Sequence, residues 1–150
     1  MKIVIQRVSR ASVTIKGTIK GSIDRGLLLF TGIGPEDDET DAKWLASKIT
    51  SMRIFEDDCG KMNLSVKDIE GQILLISQFT LYASTKKGNR PSFNGSALPE
   101  KAIPLYNQFH KFLEEETACH VPSGEFGAHM DISLVNDGPV TIIIDSKERL

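Results

Sequence analysis

The first residues that could do chemistry follow an apolar run near the middle of the chain. Ile73–Ile76 are consecutive apolar residues, and directly after them, with no Gly or Pro between, come Ser77, Gln78 and Thr80. The apolar run predicts a strand covered on both faces. If that strand continued to Tyr82, Gln78 and Thr80 would share one face. Polar side chains at a strand end indicate either contact with a polar ligand or a strand that ends in solvent.

The second candidate is the turn Asn136–Pro139 near the end of the chain. Asp137-Gly138 is a favourable hairpin dipeptide, so an ordinary turn is one interpretation. Pro139 removes a backbone donor where the next strand begins, and the bond before a proline can be cis at modest cost. Gly138 would let the backbone approach another molecule closely. The carbonyl oxygens of such a bend would form a rigid pair of hydrogen-bond acceptors.

A third candidate is a basic loop that contains Lys86, Lys87 and Arg90. It lies in residues 83–97, which are poor in apolar side chains and long for a loop in a compact domain. Loops of this length are usually functional or mobile. The three cations could contact phosphate groups, although a solvated charged loop is the alternative interpretation.

Metal and thiol chemistry have little support. The histidines and cysteines show none of the spacings typical of a metal site, so we expect no metal and no other cofactor. Three consecutive glutamates precede Cys119, and their negative charge disfavours the thiolate that a nucleophilic cysteine needs. No phosphate-binding loop motif occurs. The residues concerned are His110, His120, His129, Cys59 and Cys119.

Length and composition predict one soluble globular domain over residues 1–150. The chain is 40% hydrophobic and 25% charged, as is usual for such proteins. A net charge of −2 argues against a protein that binds nucleic acid over a wide surface, and we expect no DNA partner. We find no signal segment and no membrane span, and two unpaired cysteines are typical of the cytoplasm.

The elements that must position these residues alternate irregularly between strands and helices. We predict an α+β fold: a strongly curved, mostly antiparallel, barrel-like sheet with two main helices packed on it. The first hairpin has arms at residues 2–8 and 11–16, and residues 26–32 form a buried strand. Apolar spacing predicts helices over residues 38–52 and 96–116. Two strands, around residues 129–135 and 140–145, end the fold.

At this point the motifs resemble a known family. Ser77–Leu81 together with Asn136–Thr141 resembles the two signature motifs of the D-aminoacyl-tRNA deacylases, also called D-tyrosyl-tRNA deacylases. The resemblance covers nearly the whole chain, and the tail after residue 145 looks variable. Further matching segments are Gln6–Val8, Ala11–Val13, Lys61–Leu64, Gly88–Phe93 and Gly124–Ala128.

The resemblance implies a cytoplasmic homodimer that hydrolyses the ester between a D-amino acid and the 3′-terminal ribose of tRNA. It implies activity on glycine attached to tRNA as well. It also implies that the Gly138-Pro139 peptide is cis and enters the partner's pocket near Ser77–Thr80. There its carbonyls would hold the substrate amino group and exclude an L side chain. The partners are then tRNA and a second copy of the chain.

The same resemblance assigns roles to single residues. The backbone amides of Phe79 and Thr80 would stabilise the oxyanion. Either Thr80 attacks the ester itself, or water attacks with help from the 2′-hydroxyl of the ribose, which we prefer because no base for Thr80 is evident. Arg7 would hold the bend, and Phe126 and Met130 would wall the pocket.

Two other classes of function stay open from the sequence. In one, Thr80 and the Gly138-Pro139 bend recognise an RNA end or a small ligand without reacting. In the other, Cys119 is the nucleophile of a hydrolase. Loss of the ester from D-aminoacyl-tRNA would distinguish an enzyme from a binding module. Replacement of both cysteines by alanine would test whether Cys119 is the nucleophile of a hydrolase.

Overall fold

The structure is a computed structural model that describes residues 1–149. These residues form seven strands, two α-helices and one 3₁₀ helix. The predicted α+β class is confirmed, because two helices pack on a strongly curled sheet. In chain order the elements are β1 (Lys2–Ile15), β2 (Thr18–Ile23), β3 (Gly26–Gly32), α1 (Glu39–Ser51), β4 (Phe55–Glu56), β5 (Met62–Leu64), β6 (Gln72–Ser77), the 3₁₀ turn (Phe79–Tyr82), α2 (Pro99–Thr117) and β7 (Asp131–Asp145).

Strand β1 is the centre of the main sheet. The order is β2-β1-β3-β6, and β7 also pairs with β1. β1 is antiparallel to β2, β3 and β7, as predicted for most of the sheet, whereas β3 is parallel to β6. The sheet is therefore mixed. Helix α1 lies between β3 and β6 in sequence, and a crossover of this kind is what a parallel pair requires.

Two predicted strand divisions are wrong. Residues 2–15 are one strand rather than two hairpin arms, because β7 pairs with both halves. Where a turn was expected, Ser9 and Arg10 are exposed and the register with β7 shifts. Residues 131–145 are likewise one strand, which passes through the Gly138-Pro139 bend and pairs with β1 on both sides of it.

Both predicted helices are confirmed, and α1 begins with a strong local signal. The Asp38 side chain accepts hydrogen bonds from the amides of Thr40 and Asp41, and the Asp41 side chain accepts one from the Asp38 amide. This reciprocal capping box fixes where the helix starts. Helix α2 has a proline in its first turn and ends at Ala118, which adopts the left-handed conformation.

The sheet buries apolar side chains on both faces. Leu27 and Leu29 of β3 contact the main core beneath the helices, whereas Leu28 belongs to a second, smaller core formed where the sheet curls. β3 is therefore covered on both sides, as its apolar sequence predicted. Strand β6 divides in the same way, with Ile73 and Leu75 in the main core and Leu74 and Ile76 in the smaller one. Within residues 1–149, no helix is long and apolar enough to cross a membrane.

Candidate active site

The polar segment after β6 is a turn rather than a continued strand. The predicted continuation to Tyr82 is wrong, because β6 loses its neighbour at this point. Thr31 is the last residue of β3 that pairs with β6, opposite Ser77, and its carbonyl accepts a hydrogen bond of 2.7 Å from the Gln78 amide. The chain then enters the 3₁₀ turn. A shared strand face therefore does not bring Gln78 and Thr80 together.

Gln78 instead contacts Thr80 directly. Its Nε2 donates a hydrogen bond of 2.5 Å to Thr80 Oγ1, which orients the hydroxyl. Among residues 1–149, the Thr80 side chain makes no other hydrogen bond, so no carboxylate or imidazole is bonded to its hydroxyl. A threonine nucleophile needs a neighbouring base to remove its proton. The environment of Thr80 thus fits a positioning role.

The 3₁₀ turn leaves two backbone donors free. The Leu81 amide donates to the Gln78 carbonyl, but the amides of Phe79 and Thr80 have no acceptor among residues 1–149. The Phe79 side chain is 52% exposed, so this surface is open to a bound molecule. Adjacent N–H groups of this kind are the parts from which an oxyanion hole is built.

An apolar cavity of about 460 Å³ lies beside the turn. Phe79 and Phe93 form one wall and pack edge to face, with ring centroids 5.2 Å apart. Phe126 and Met130 line the same cavity, but Thr80 does not. The volume is within the range of small-molecule sites. The other lining residues are Ser77, Gln78, Ser96, Ala97, Leu98, Pro99, Gly127 and Ala128.

The Gly138-Pro139 bend is exposed in the middle of β7. The peptide bond between these residues is cis, and Gly138 has a φ of +110°. A Cβ atom at Gly138 would lie 2.6 Å from Nη2 of Arg7. Glycine is therefore required here both by the backbone conformation and by the closeness of Arg7.

Arg7 and Asn136 fix this bend from two sides. Arg7 Nε lies 3.2 Å from the carbonyl oxygen and 3.2 Å from Oδ2 of Asp137, and Nη1 donates to the Ile54 carbonyl at 2.6 Å. Asn136 Nδ2 donates to the carbonyls of Arg7 and Val140 at 3.0 and 3.1 Å. Arg7 is only 5% exposed, so its guanidinium has little freedom to leave the bend.

A single copy of the chain does not bring the bend and the turn into one cavity. Neither Gly138 nor Pro139 lines the cavity beside Phe79. The bend projects from β7, whereas the turn follows β6, and these strands occupy different positions in the sheet. A site that used both features would therefore have to extend beyond this cavity.

The predicted basic loop follows the 3₁₀ turn. Lys86, Lys87 and Arg90 are exposed, and in the described part of the chain none of them forms an ion pair. The loop is closed by Ser84 and Ser92, whose backbone groups exchange hydrogen bonds of 2.8 and 2.9 Å. Phe79 and Phe93 flank this loop in sequence and both line the cavity, so the three cations lie on the segment that connects the two halves of that wall.

The histidines and cysteines make separate contacts. His110 Nε2 lies 2.7 Å from the Val121 carbonyl oxygen, and His120 Nδ1 lies 3.0 Å from a carboxylate oxygen of Glu114. The Val121 amide, assisted by both histidines, lowers the pKa of Glu114. Both cysteines are free and exposed. Among residues 1–149, no group of three potential metal ligands comes together.

Three features of the site were missed from the sequence. Phe93 packs on Phe79, and Asn136 donates hydrogen bonds to the carbonyl of Arg7 on β1 and to that of Val140 just after the bend. Both residues lie within segments that were singled out from the sequence, Gly88–Phe93 and Asn136–Pro139, but neither side chain was given a role there. The third is the hydrogen bond of 3.1 Å that the Tyr82 hydroxyl donates to Asp37. These two residues lie 45 positions apart in the sequence. No local pattern indicates that pair.

Comparisons with known proteins identify the family of the chain. The family described as D-Tyr-tRNA(Tyr) deacylase matches residues 4–145. A curated D-aminoacyl-tRNA deacylase from Akkermansia muciniphila is 56% identical over 149 residues, which is 99% of each chain. A solved structure described as c-Myc DNA Unwinding Element Binding Protein is 40% identical, with a TM-score of 0.90 over 97% of this chain and 98% of that one.

A more distant solved structure shows how widely the fold is shared. It is described as a probable eukaryotic D-amino acid tRNA deacylase and is 15% identical, with a TM-score of 0.83 over 95% of this chain and 97% of that one. At this identity the likeness concerns the fold alone. The residues that match the family, 4–145, by contrast include those of both the 3₁₀ turn and the bend. The chain belongs to the D-aminoacyl-tRNA deacylase family, a family of hydrolases that act on aminoacyl-tRNA.

Proposed function

We propose that the chain hydrolyses the ester between a D-amino acid and the 3′-terminal ribose of tRNA, and that it also accepts glycine. The observation that carries this proposal is the pair of free amides at Phe79 and Thr80 beside an apolar cavity. An ester carbonyl is already reactive, so oxyanion donors and correct positioning supply most of what its hydrolysis needs. The family and the name of the relative from Akkermansia muciniphila support the substrate class.

In the proposed mechanism, water attacks the ester carbonyl and the Phe79 and Thr80 amides stabilise the negative oxygen. The bond to the ribose 3′-oxygen then breaks, and that oxygen takes up a proton. The products are a free amino acid and tRNA. The 2′-hydroxyl of the same ribose assists the proton transfer, since the described residues provide no base at Thr80. No metal or other cofactor enters this reaction.

The 2′-hydroxyl has its own test. A substrate that ends in 2′-deoxyadenosine keeps the ester at the 3′-oxygen but lacks the assisting group. We expect it to be hydrolysed at least about 100-fold more slowly, which is the usual scale of general acid–base assistance. Hydrolysis at the normal rate would favour the alternative mechanism, in which Thr80 forms an acyl-enzyme.

Rejection of L-amino acids is proposed to come from the Gly138-Pro139 bend of a second subunit. The bend is exposed and braced by Arg7, so its carbonyls point in fixed directions. In a homodimer they would hold the substrate amino group and leave room for hydrogen but not for a side chain. Glycine has no side chain to exclude, which is why it should be accepted.

The acceptor end of tRNA is proposed to lie on the basic loop. Lys86, Lys87 and Arg90 are exposed cations on the loop between Phe79 and Phe93, which both line the cavity, and they suit a small contact with phosphates. A small footprint agrees with a net charge of −2. Because tRNA is the proposed substrate, the proposed place of action is the cytoplasm.

The direct test follows ester loss from D-tyrosyl-tRNA and glycyl-tRNA incubated with the purified protein. We expect many turnovers per subunit with both substrates, and unchanged rates in EDTA. The double replacement of Cys59 and Cys119 by alanine serves as a control and should keep full activity, since both thiols lie outside the site. Tight binding without release would indicate a recognition module and would contradict the proposal.

DNA binding is the second function to be weighed, because the relative with 40% identity is named for a DNA element. That name describes the other protein. The net charge of −2 and the small group of free cations argue against a long duplex footprint here. Excess duplex DNA should therefore leave D-tyrosyl-tRNA hydrolysis unchanged at physiological salt. Strong inhibition would favour a nucleic-acid surface wider than the basic loop.

A further inference from the structure

The 3₁₀ turn carries the proposed oxyanion donors, yet few contacts within the turn itself keep it in place. None of its four residues is fully buried, and no side chain caps its beginning. Its Leu81 amide and the following Ala83 amide make hydrogen bonds of 3.3 and 3.0 Å. Donors that stabilise a developing charge must be in place before the reaction starts. A contact from outside the turn is therefore needed.

Tyr82, the last residue of the turn, lies in a slot made by glycines. A Cβ atom at Gly34 would lie 2.8 Å from three atoms of the Tyr82 phenol, and one at Gly32 would lie 3.2 Å from its ring. A Cβ atom at Gly95 would lie 3.2 Å from the Tyr82 carbonyl oxygen. The missing side chains at these positions are what allow the ring to lie flat against the loop after β3.

The hydroxyl of Tyr82 reaches a buried ion pair. It donates to Oδ2 of Asp37 at 3.1 Å, and the same oxygen accepts a hydrogen bond of 2.6 Å from the Gly34 amide. Oδ1 of Asp37 lies 2.6 Å from the ammonium group of Met1, and Asp37 is 2% exposed. Hydrogen bonds to a charged group are stronger than neutral ones. Burial, followed by the charge of Asp37, raises the pKa of Tyr82, so the phenol keeps its proton.

We propose that Tyr82 is a positioning residue that ties the 3₁₀ turn to the ion pair of Asp37 with Met1. Met1 directly precedes β1, and Asp37 directly precedes the cap of α1, so the turn is joined to the central strand and the first helix. Tyr82 does not touch the substrate; it acts through the amides of Phe79 and Thr80. The inference rests on the proposed function, because it assigns those amides to ester hydrolysis.

Tyr82→Phe tests the inference, because it removes the hydroxyl and leaves the ring in its slot. We expect kcat for D-tyrosyl-tRNA to fall about tenfold with KM unchanged, since the donors lose alignment while the cavity still binds. Tyr106→Phe is the matched control. Its hydroxyl donates to the Leu75 carbonyl at 3.3 Å in the core, and the Gly124 amide still satisfies that carbonyl afterwards. The control should keep kcat.

Amide hydrogen exchange provides a second readout that does not depend on activity. Peptides covering residues 78–83 should exchange about fivefold faster in Tyr82→Phe and at the normal rate in Tyr106→Phe. Normal exchange in Tyr82→Phe, or an equal loss of kcat in both variants, would overturn the inference. If the wild-type protein does not hydrolyse D-tyrosyl-tRNA at all, the proposed function fails, while the exchange result still decides whether Tyr82 holds the turn.

Discussion

Arg7 Nε lies 3.2 Å from both the carbonyl oxygen and Oδ2 of Asp137, the residue just before Gly138. The same guanidinium donates to the Ile54 carbonyl through Nη1 at 2.6 Å. An exposed bend is thus braced from within the protein by a buried side chain of the central strand. This contact gives the bend the fixed direction that a filter made of backbone atoms requires.

Arg7→Lys should loosen the bend. A lysine ammonium is a single point charge and does not reproduce the planar fork that serves Ile54 and Asp137 together. We expect the ratio of D- to L-tyrosyl-tRNA hydrolysis rates to fall about tenfold, because a less rigid filter excludes the L side chain less well. Arg10→Lys, an exposed arginine on the same strand, is the control. An unchanged ratio in Arg7→Lys would show that the brace does not set stereoselectivity.

Gly138→Ala should destabilise the fold more than the same change at Gly60. Both glycines have positive φ angles, of +110° and +74°, but a Cβ atom at Gly60 meets open space while one at Gly138 meets Arg7. We expect about 1 kcal/mol of lost unfolding free energy for Gly60→Ala from the backbone alone and about 3 kcal/mol for Gly138→Ala. Urea unfolding measures both values, and equal losses would contradict the close contact.

Thr80→Ala should keep kcat within about tenfold of the wild-type value, because the hydroxyl is oriented by Gln78 and no base among residues 1–149 is bonded to it. Mass spectrometry of the wild-type protein during turnover should detect no acyl-enzyme. Loss of all measurable activity in Thr80→Ala, with an intact fold by circular dichroism, would instead identify Thr80 as the nucleophile.

Asp41 should make the protein sensitive to acid. Burial would raise its pKa, but hydrogen bonds from Lys147, the Asp38 amide and Ser146 outweigh burial and lower the pKa from 3.8 to about 2. Because the folded pKa lies below the unfolded one, this stabilisation is present above pH 3.8 and is lost as the pH falls toward about 2. The loss amounts to about 2 kcal/mol. Asp41→Asn should remove this part of the pH dependence in urea unfolding; an unchanged pH profile would contradict the assignment.

Local sequence signals predicted the helices well. Apolar spacing predicted α1 over residues 38–52, and the structure adds a capping box in which Asp38 and Asp41 cap the helix reciprocally. The apolar run Ile73–Ile76 likewise predicted a strand buried on both faces, and its residues divide between the two cores. In these cases the interactions that decide the structure join residues close in the chain, or come from apolar side chains that recur at one regular spacing.

The errors concern places where distant partners decide the local structure. The chain leaves the strand after Ser77 because β3 ends opposite it, which the sequence around Ser77 does not reveal. The contact between Tyr82 and Asp37 joins residues with no shared pattern. Ser146, which no local pattern singled out, is buried and accepts a hydrogen bond from the amino group of Met1, at the opposite end of the sequence.

Hydrolysis of D- and L-tyrosyl esters of the same tRNA tests the central claim most directly. Single-turnover rates with enzyme in excess would compare the two substrates without interference from product release. We predict that the D-ester is cleaved at least about 100-fold faster, since the L side chain would collide with the partner's bend. Equal rates for the two esters, with rapid cleavage of both, would contradict a site that selects its substrate with the Gly138-Pro139 backbone.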